Sequence, residues 1–150
     1  MGMFVQSTKN TLIDSNYFKD AGSSSLIYSI YFATSNSAII SNNTIINQST
    51  SAAYGIYTIG LNGSSSDSNL ISNNSVSLIN SNGGTARGIH AQNNRFAKFY
   101  FNSIYNNCPN LANGRGVYVT GPPSYAGNVY VNNNVVVDGP GACFEAVSSS

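Results

Sequence analysis

Charge is scarce in this chain. Lys, Arg, Asp and Glu make up 7% of its 150 residues and sum to a formal +1. A nucleic-acid partner would require a basic stripe to neutralise phosphates, and an anionic membrane surface would require much the same, so neither is expected. Helix formers such as Glu, Lys, Arg and Gln are also thin, and no stretch of about ten residues carries an apolar face at helical spacing. No apolar run approaches the ~20 residues that cross a bilayer, which excludes membrane insertion by a helix. The opening MGMFVQSTKN has neither the apolar segment nor the small-residue cleavage site of a signal peptide. There are two cysteines, Cys108 and Cys143, with no CxxC spacing and no neighbouring histidine. Neither a metal site nor a cofactor is therefore expected. One disulfide remains open between them, with two free thiols the simpler expectation.

Asn and Ser together supply roughly a third of the chain, a bias that often marks disorder. Here the hydrophobic content is 41% and rich in Ile, Val, Tyr and Phe, which disordered segments lack. The chain is expected to fold, as β-structure and as one unit over residues 1–150, a length that suits a single core.

Its organisation is periodic. The stretches LIDSNYFKD, IISNNTIIN, LISNNSVSL, KFYFNSIYN and YVNNNVVVD obey one rule: apolar, two variable positions, Asn, one variable position, apolar. The instances are Ile13/Asn16/Phe18, Ile40/Asn43/Ile45, Ile71/Asn74/Val76, Phe99/Asn102/Ile104 and Val131/Asn134/Val136. A period near thirty is the mark of a solenoid. A second motif keeps the same beat half a repeat later, in SIYFA, GIYTI, GIHAQ, GVYVT and, in weaker form, ACFEA. Each has a small residue, a β-branched one, then an aromatic ring or His. Turn-rich connectors such as NGSSSDS, INSNGGTA, PNLANG and GPPSYAG vary in length and account for the uneven period.

Two solenoids use a buried Asn at such a spacing. A leucine-rich repeat also wants leucines five and eight residues earlier. Those places hold Thr11, Ala38, Asn69, Ala97 and Val129, and Thr8, Ser35, Ser66, Asn94 and Ala126. A parallel β-helix fits better, with like residues of successive turns stacked at the ~4.8 Å interstrand spacing. At a sharp bend, backbone amides lose their ladder partners, and an Asn amide with two donors and one acceptor oxygen satisfies them while bonding the next Asn. The expected ladder is Asn16, Asn43, Asn74, Asn102 and Asn134. The doublet partners Asn42, Asn73 and Asn133 are expected on the solvent side of the turn.

With these motifs in place the chain resembles the right-handed parallel β-helix repeats of pectin-lyase-like proteins, in the Asn-rich form of large bacterial secreted or surface proteins. The resemblance runs from about Asn10 to Val147. It implies an all-β solenoid of about five turns, a segment of a longer repeat protein, and an extracellular or cell-surface location. It implies no single function, because the superfamily hosts lyases, hydrolases, tailspikes and adhesins.

Enzymes of that family cluster acids in a groove. The acids here, Asp14, Asp20, Asp67, Asp138 and Glu145, show no DxD and no pair at matched register on adjacent turns. The stronger pattern is a column. With Ile30, Ile56, Ile89 and Val117 pointing inward, period-2 alternation sends Tyr31, Tyr57, His90, Tyr118 and Phe144 outward. Arg87 and Arg115 precede two of the glycines and are expected side by side, unfavourably unless an anion or a carboxylate lies between them. Tyr31, Tyr57, Arg87, His90, Arg115 and Tyr118 thus form a candidate carbohydrate-binding row; the plainer reading is an aromatic ladder that stabilises the sheet. The functional expectation is a non-catalytic structural or adhesive module with a glycan as its candidate partner. The alternative is a fragment of a polysaccharide lyase or glycoside hydrolase whose acids lie elsewhere. Asn-x-Ser/Thr matches at Asn42, Asn47, Asn62 and Asn73 are expected by chance in so Asn-rich a chain.

Overall fold

The structure is a computed structural model that describes residues 2–20, 26–48, 51–79, 85–107, 114–122, 127–138 and 141–148. Most of the connectors INSNGGTA, PNLANG and GPPSYAG, with Cys108, lie outside them; Cys143 is an exposed free thiol.

The strands come in threes along the chain. They run β1 (Met3–Gln6), β2 (Leu12–Asp14) and β3 (Tyr17–Asp20), then β4 (Ile27–Ala33), β5 (Ile39–Ser41) and β6 (Thr44–Asn47). Next come β7 (Ala53–Ile59), β8 (Asn69–Ser72) and β9 (Ser75–Ile79), followed by β10 (Ala86–Gln92), β11 (Ala97–Tyr100) and β12 (Ser103–Asn107). Then β13 (Gly114–Gly121), β14 (Val129–Val131) and β15 (Asn134–Asp138) lead to β16 (Ala142–Ser148). Every third strand pairs, always in parallel, giving a first sheet β1-β4-β7-β10-β13-β16, a second β14-β11-β8-β5-β2 and a third β15-β12-β9-β6-β3. The protein is a parallel β-solenoid, with no helix among the described residues.

Its interior is a set of like-with-like stacks. Ile30, Ile56, Ile89 and Val117 line the first sheet, Ile13, Ile40, Ile71 and Phe99 the second, and Ile45, Val76 and Ile104 the third; each is buried. β-Branched and aromatic side chains suit this pleated, close-packed surface. The first sheet bends where the small residues of the second motif fall. There Ser29 and Ile30 are both buried, as are Gly55 and Ile56 and then Gly88 and Ile89, so two successive residues face inward. A Cβ on Gly88 would stand 2.7 Å from the Gly116 carbonyl oxygen and closer still to Ile104 of the third sheet. At Gly55, Gly88 and Gly116 the first and third sheets thus approach too closely for a Cβ.

The corner between second and third sheets carries the Asn ladder. Asn43 Oδ1 accepts from both the backbone N–H and Nδ2 of Asn16, each at 3.0 Å. Asn74 Oδ1 accepts in the same way from Asn43, and Asn102 Oδ1 from Asn74. The second Nδ2 hydrogen goes to a backbone carbonyl of the coil before, from Asn43 to Ile13, Asn74 to Ile40 and Asn102 to Ile71. The next rung is Asn133, not Asn134. Asn133 Oδ1 takes both bonds from Asn102 and its Nδ2 donates to Phe99, whereas Asn134 pairs with Ser103 inside the strand and is exposed. Tyr130 and Val135 accordingly pack toward the core, and the solvent-side turn residue there is Asn132. Ser15, Asn42, Asn73, Phe101 and Asn132 all hold φ between 51° and 56°, a left-handed conformation in which Asn is enriched.

The corners between first and second sheets repeat the device. Thr8 N–H donates to Ser35 Oγ and Leu61 N–H to Asn94 Oδ1. Ala38 N–H donates to Asn69 Oδ1 and Ala97 N–H to Asn128 Oδ1.

Candidate carbohydrate-binding face

The outer face of the first sheet carries two columns. Register aligns Phe4 with Tyr31, Tyr31 with Tyr57, Tyr57 with His90 and His90 with Tyr118. Beside it, Tyr28 aligns with Tyr54, Tyr54 with Arg87 and Arg87 with Arg115. The bend in each strand lets residues three apart share this face, since the two between them turn inward. The rings pack as well as align. Phe4 stacks on Tyr31 at 4.9 Å, Tyr31 meets Tyr57 edge-on at 5.0 Å, and Tyr57 lies flat on His90 at 4.4 Å and 4°. His90 then tilts against Tyr118 at 5.2 Å.

The sequence pattern names Tyr31, Tyr57, Arg87, His90, Arg115 and Tyr118, and the structure gathers all six on this face. Phe4, Tyr28, Tyr54, Gln92 and Glu145 belong with them and were missed. Tyr28 and Tyr54 precede the small residue of their motif just as Arg87 and Arg115 do, so that position carried a readable signal. Phe144 does not join the outer column. It aligns with the inward-facing Val117 and contacts Tyr130, while Glu145 aligns with Tyr118. Reading ACFEA with Cys143 at the β-branched position shifts that copy by one residue.

The stacked arginines find separate partners. Arg115 Nε donates to Glu145 Oε2 in an ion pair. Arg87 places its guanidinium carbon 3.8 Å from the centre of the Tyr118 ring, a cation–π contact. Its Nη1 lies 3.1 Å from His90 Nδ1. The same Nη1 lies 3.3 Å from Nε2, and since a guanidinium only donates, the ring nitrogen that accepts must carry a lone pair, which the neutral ring offers in either tautomer and imidazolium lacks. Nε2 also faces Thr120 Oγ1 at 3.4 Å. His90 is 4% exposed. Burial first, and the Arg87 charge second, push its pKa down to about 3. Tyr57 donates its hydroxyl to Gln92 Oε1, and burial with the neighbouring tyrosines pushes its pKa up to about 12.

The acids are dispersed. Asp14 lies on the second sheet, where hydroxyls of Ser41 and Ser15 and the amide of Asn42 hold its carboxyl below the usual range. Asp20 and Asp138 lie in the third sheet, Glu145 in the first, and Asp67 in a connector bonded to Ser37. No cluster of three or more His, Cys, Asp or Glu able to hold a metal ion occurs among the described residues. No family model matches the chain, and neither the curated proteins nor the solved structures searched contain a match.

Proposed function

We propose that this solenoid is a non-catalytic structural or adhesive module of pectin-lyase-like type, belonging to a secreted or cell-surface protein and making weak contact with carbohydrate along Tyr31, Tyr57 and Tyr118. The observation that carries this reading is that most polar groups of the face are already engaged, with Arg87 Nε buried and unpartnered. His90 is held by Arg87, Arg87 by Tyr118, Arg115 by Glu145, and Tyr57 by Gln92. A general base must be free to reach the proton it removes, and hydrolysis needs two carboxyls flanking one bond. What the face offers a ligand is aromatic area, partly exposed at Tyr31, Tyr57 and Tyr118, which suits the apolar faces of sugars.

The test is paired. Glycan-array binding should be weak, and should fall in Tyr57→Ala and Tyr118→Ala variants whose far-UV spectra match the parent. Assays for unsaturated products from pectin, polygalacturonate and alginate should stay at background. Cleavage that copurifies with the protein would overturn the reading in favour of an enzyme; an array with no binding would reduce the face to a structural ladder.

A further inference from the structure

The tyrosines of this face sit where oxidation would join them. Tyr28 and Tyr54 are registered neighbours on β4 and β7, their rings 4.8 Å apart and 24° from parallel. Both are partly exposed. Adjacent strands fix the two backbones ~4.8 Å apart along their length, so the two rings meet without any movement of the chain.

We propose that Tyr28 and Tyr54 are a dityrosine site, closed within the chain by a peroxide-driven one-electron oxidant such as a haem peroxidase. Each phenol gives up one electron and its hydroxyl proton, leaving a radical with spin on the carbons ortho to oxygen. Two such carbons form a C–C bond. The hydrogen on each bonded carbon then moves to the phenolic oxygen and restores both rings. Two phenols and one peroxide thus become one biphenol and two waters.

Neighbouring tyrosines are less well placed. Tyr31 meets Tyr57 at 90°; Tyr57 also stacks on Tyr28 and Tyr54, but farther off at 5.4 and 5.6 Å, and it is held by His90 on its face and by Gln92 at its hydroxyl. Tyr17 and Tyr105 are more exposed, but their registered neighbours are Thr44, Ser77 and Val136, so among the described residues neither has a registered tyrosine to couple with. Effective molarities of well-oriented held groups reach ~10⁵ M and above, far beyond any concentration of a second chain. The bond would tie one coil to the next and close the chain between residues 28 and 54, restricting the unfolded state as a disulfide does.

The experiment treats the full chain with peroxide and a haem peroxidase over a range of protein concentrations. Dityrosine fluorescence should appear with a yield per chain independent of concentration, on a band that still runs as monomer. Thermolysin digestion and tandem mass spectrometry should find a Tyr28–Tyr54 linked peptide short of two hydrogens. Tyr28→Phe and Tyr54→Phe keep the stacked rings and should lose the signal to background; Tyr105→Phe should keep it. Yield that rises with concentration alongside dimers, signal that survives Tyr28→Phe, or no dityrosine at all would each overturn the proposal.

Discussion

Asn74 and Asn73 are the same residue type one position apart, and the fold uses them in opposite ways. Asn74 is 1% exposed, donates to the Ile40 carbonyl and Asn102 Oδ1, and accepts twice from Asn43. Asn73 is exposed at a φ of 54°. Replacing Asn74 with Leu strands buried groups on both sides and should cost at least ~1–3 kcal/mol. Asn73→Gly, which accepts the left-handed backbone, should change stability by only a few tenths of a kcal/mol. Urea midpoints of the two variants check this, and equal midpoints would remove the ladder argument. The ladder was legible because an Asn between apolar neighbours contradicts strand propensity unless a bend needs it. Its register in the last copy was not. Asn132, Asn133 and Asn134 are identical in type, and Val135, Val136 and Val137 follow without alternation, so Tyr130/Asn133/Val135 and Val131/Asn134/Val136 satisfy the rule equally. Packing of Tyr130 and Val135 on the core decides between them.

At the scale of the strand, β10 holds both one of the close glycine approaches and the buried histidine of the face. Gly88→Ala would drive a methyl into the Gly116 carbonyl and Ile104, and should destabilise by ~1–3 kcal/mol as overpacking does. A melting curve suffices to check it. His90 gives the strand a pH signature whose sign is fixed. In the unfolded chain its pKa is ~6.5; in the fold it is about 3. Between those values only the unfolded chain takes up the proton, so stability falls as pH drops through that window and is flat above it, with a slope of at most ~1.4 kcal/mol per unit. Asp14, whose pKa is lowered, adds its own loss only on the acid side of the carboxylate range. Urea midpoints above ~pH 4.5 therefore isolate His90. They should fall with acid in the parent and stay level in His90→Phe; a parent that is equally level would show the ring charged or exposed. The outer column itself followed from period-2 alternation. What hid its depth was the bend, which puts Tyr28 and Tyr54 on the face three residues before Tyr31 and Tyr57 and so covers the rings that alternation alone leaves bare.

For the whole molecule, one coil touches the next and little else, so a period near thirty was enough to read the architecture: solenoid stability is a sum over neighbouring repeats. Function was less legible because the chemistry-bearing side chains are brought together by register between coils, and connectors of unequal length obscure that register in the sequence. Glu145 shows this. It reads as an isolated acid, yet it meets Arg115, thirty residues away in sequence, as a neighbour across adjacent strands. The corners also have a direction. In every rung the side-chain oxygen of Asn43, Asn74, Asn102 and Asn133 faces the coil before it, and Ser35, Asn69, Asn94 and Asn128 do the same. The dipoles of alternating strand peptides nearly cancel, but the amides of Asn43, Asn74 and Asn102 each set Oδ1 toward the coil before and an Nδ2 hydrogen toward the coil after, whereas Asn94 and Asn128 turn both atoms to the coil before. The ladder between second and third sheets is consequently polar along the axis, its acceptors facing the first coil and its donors the last.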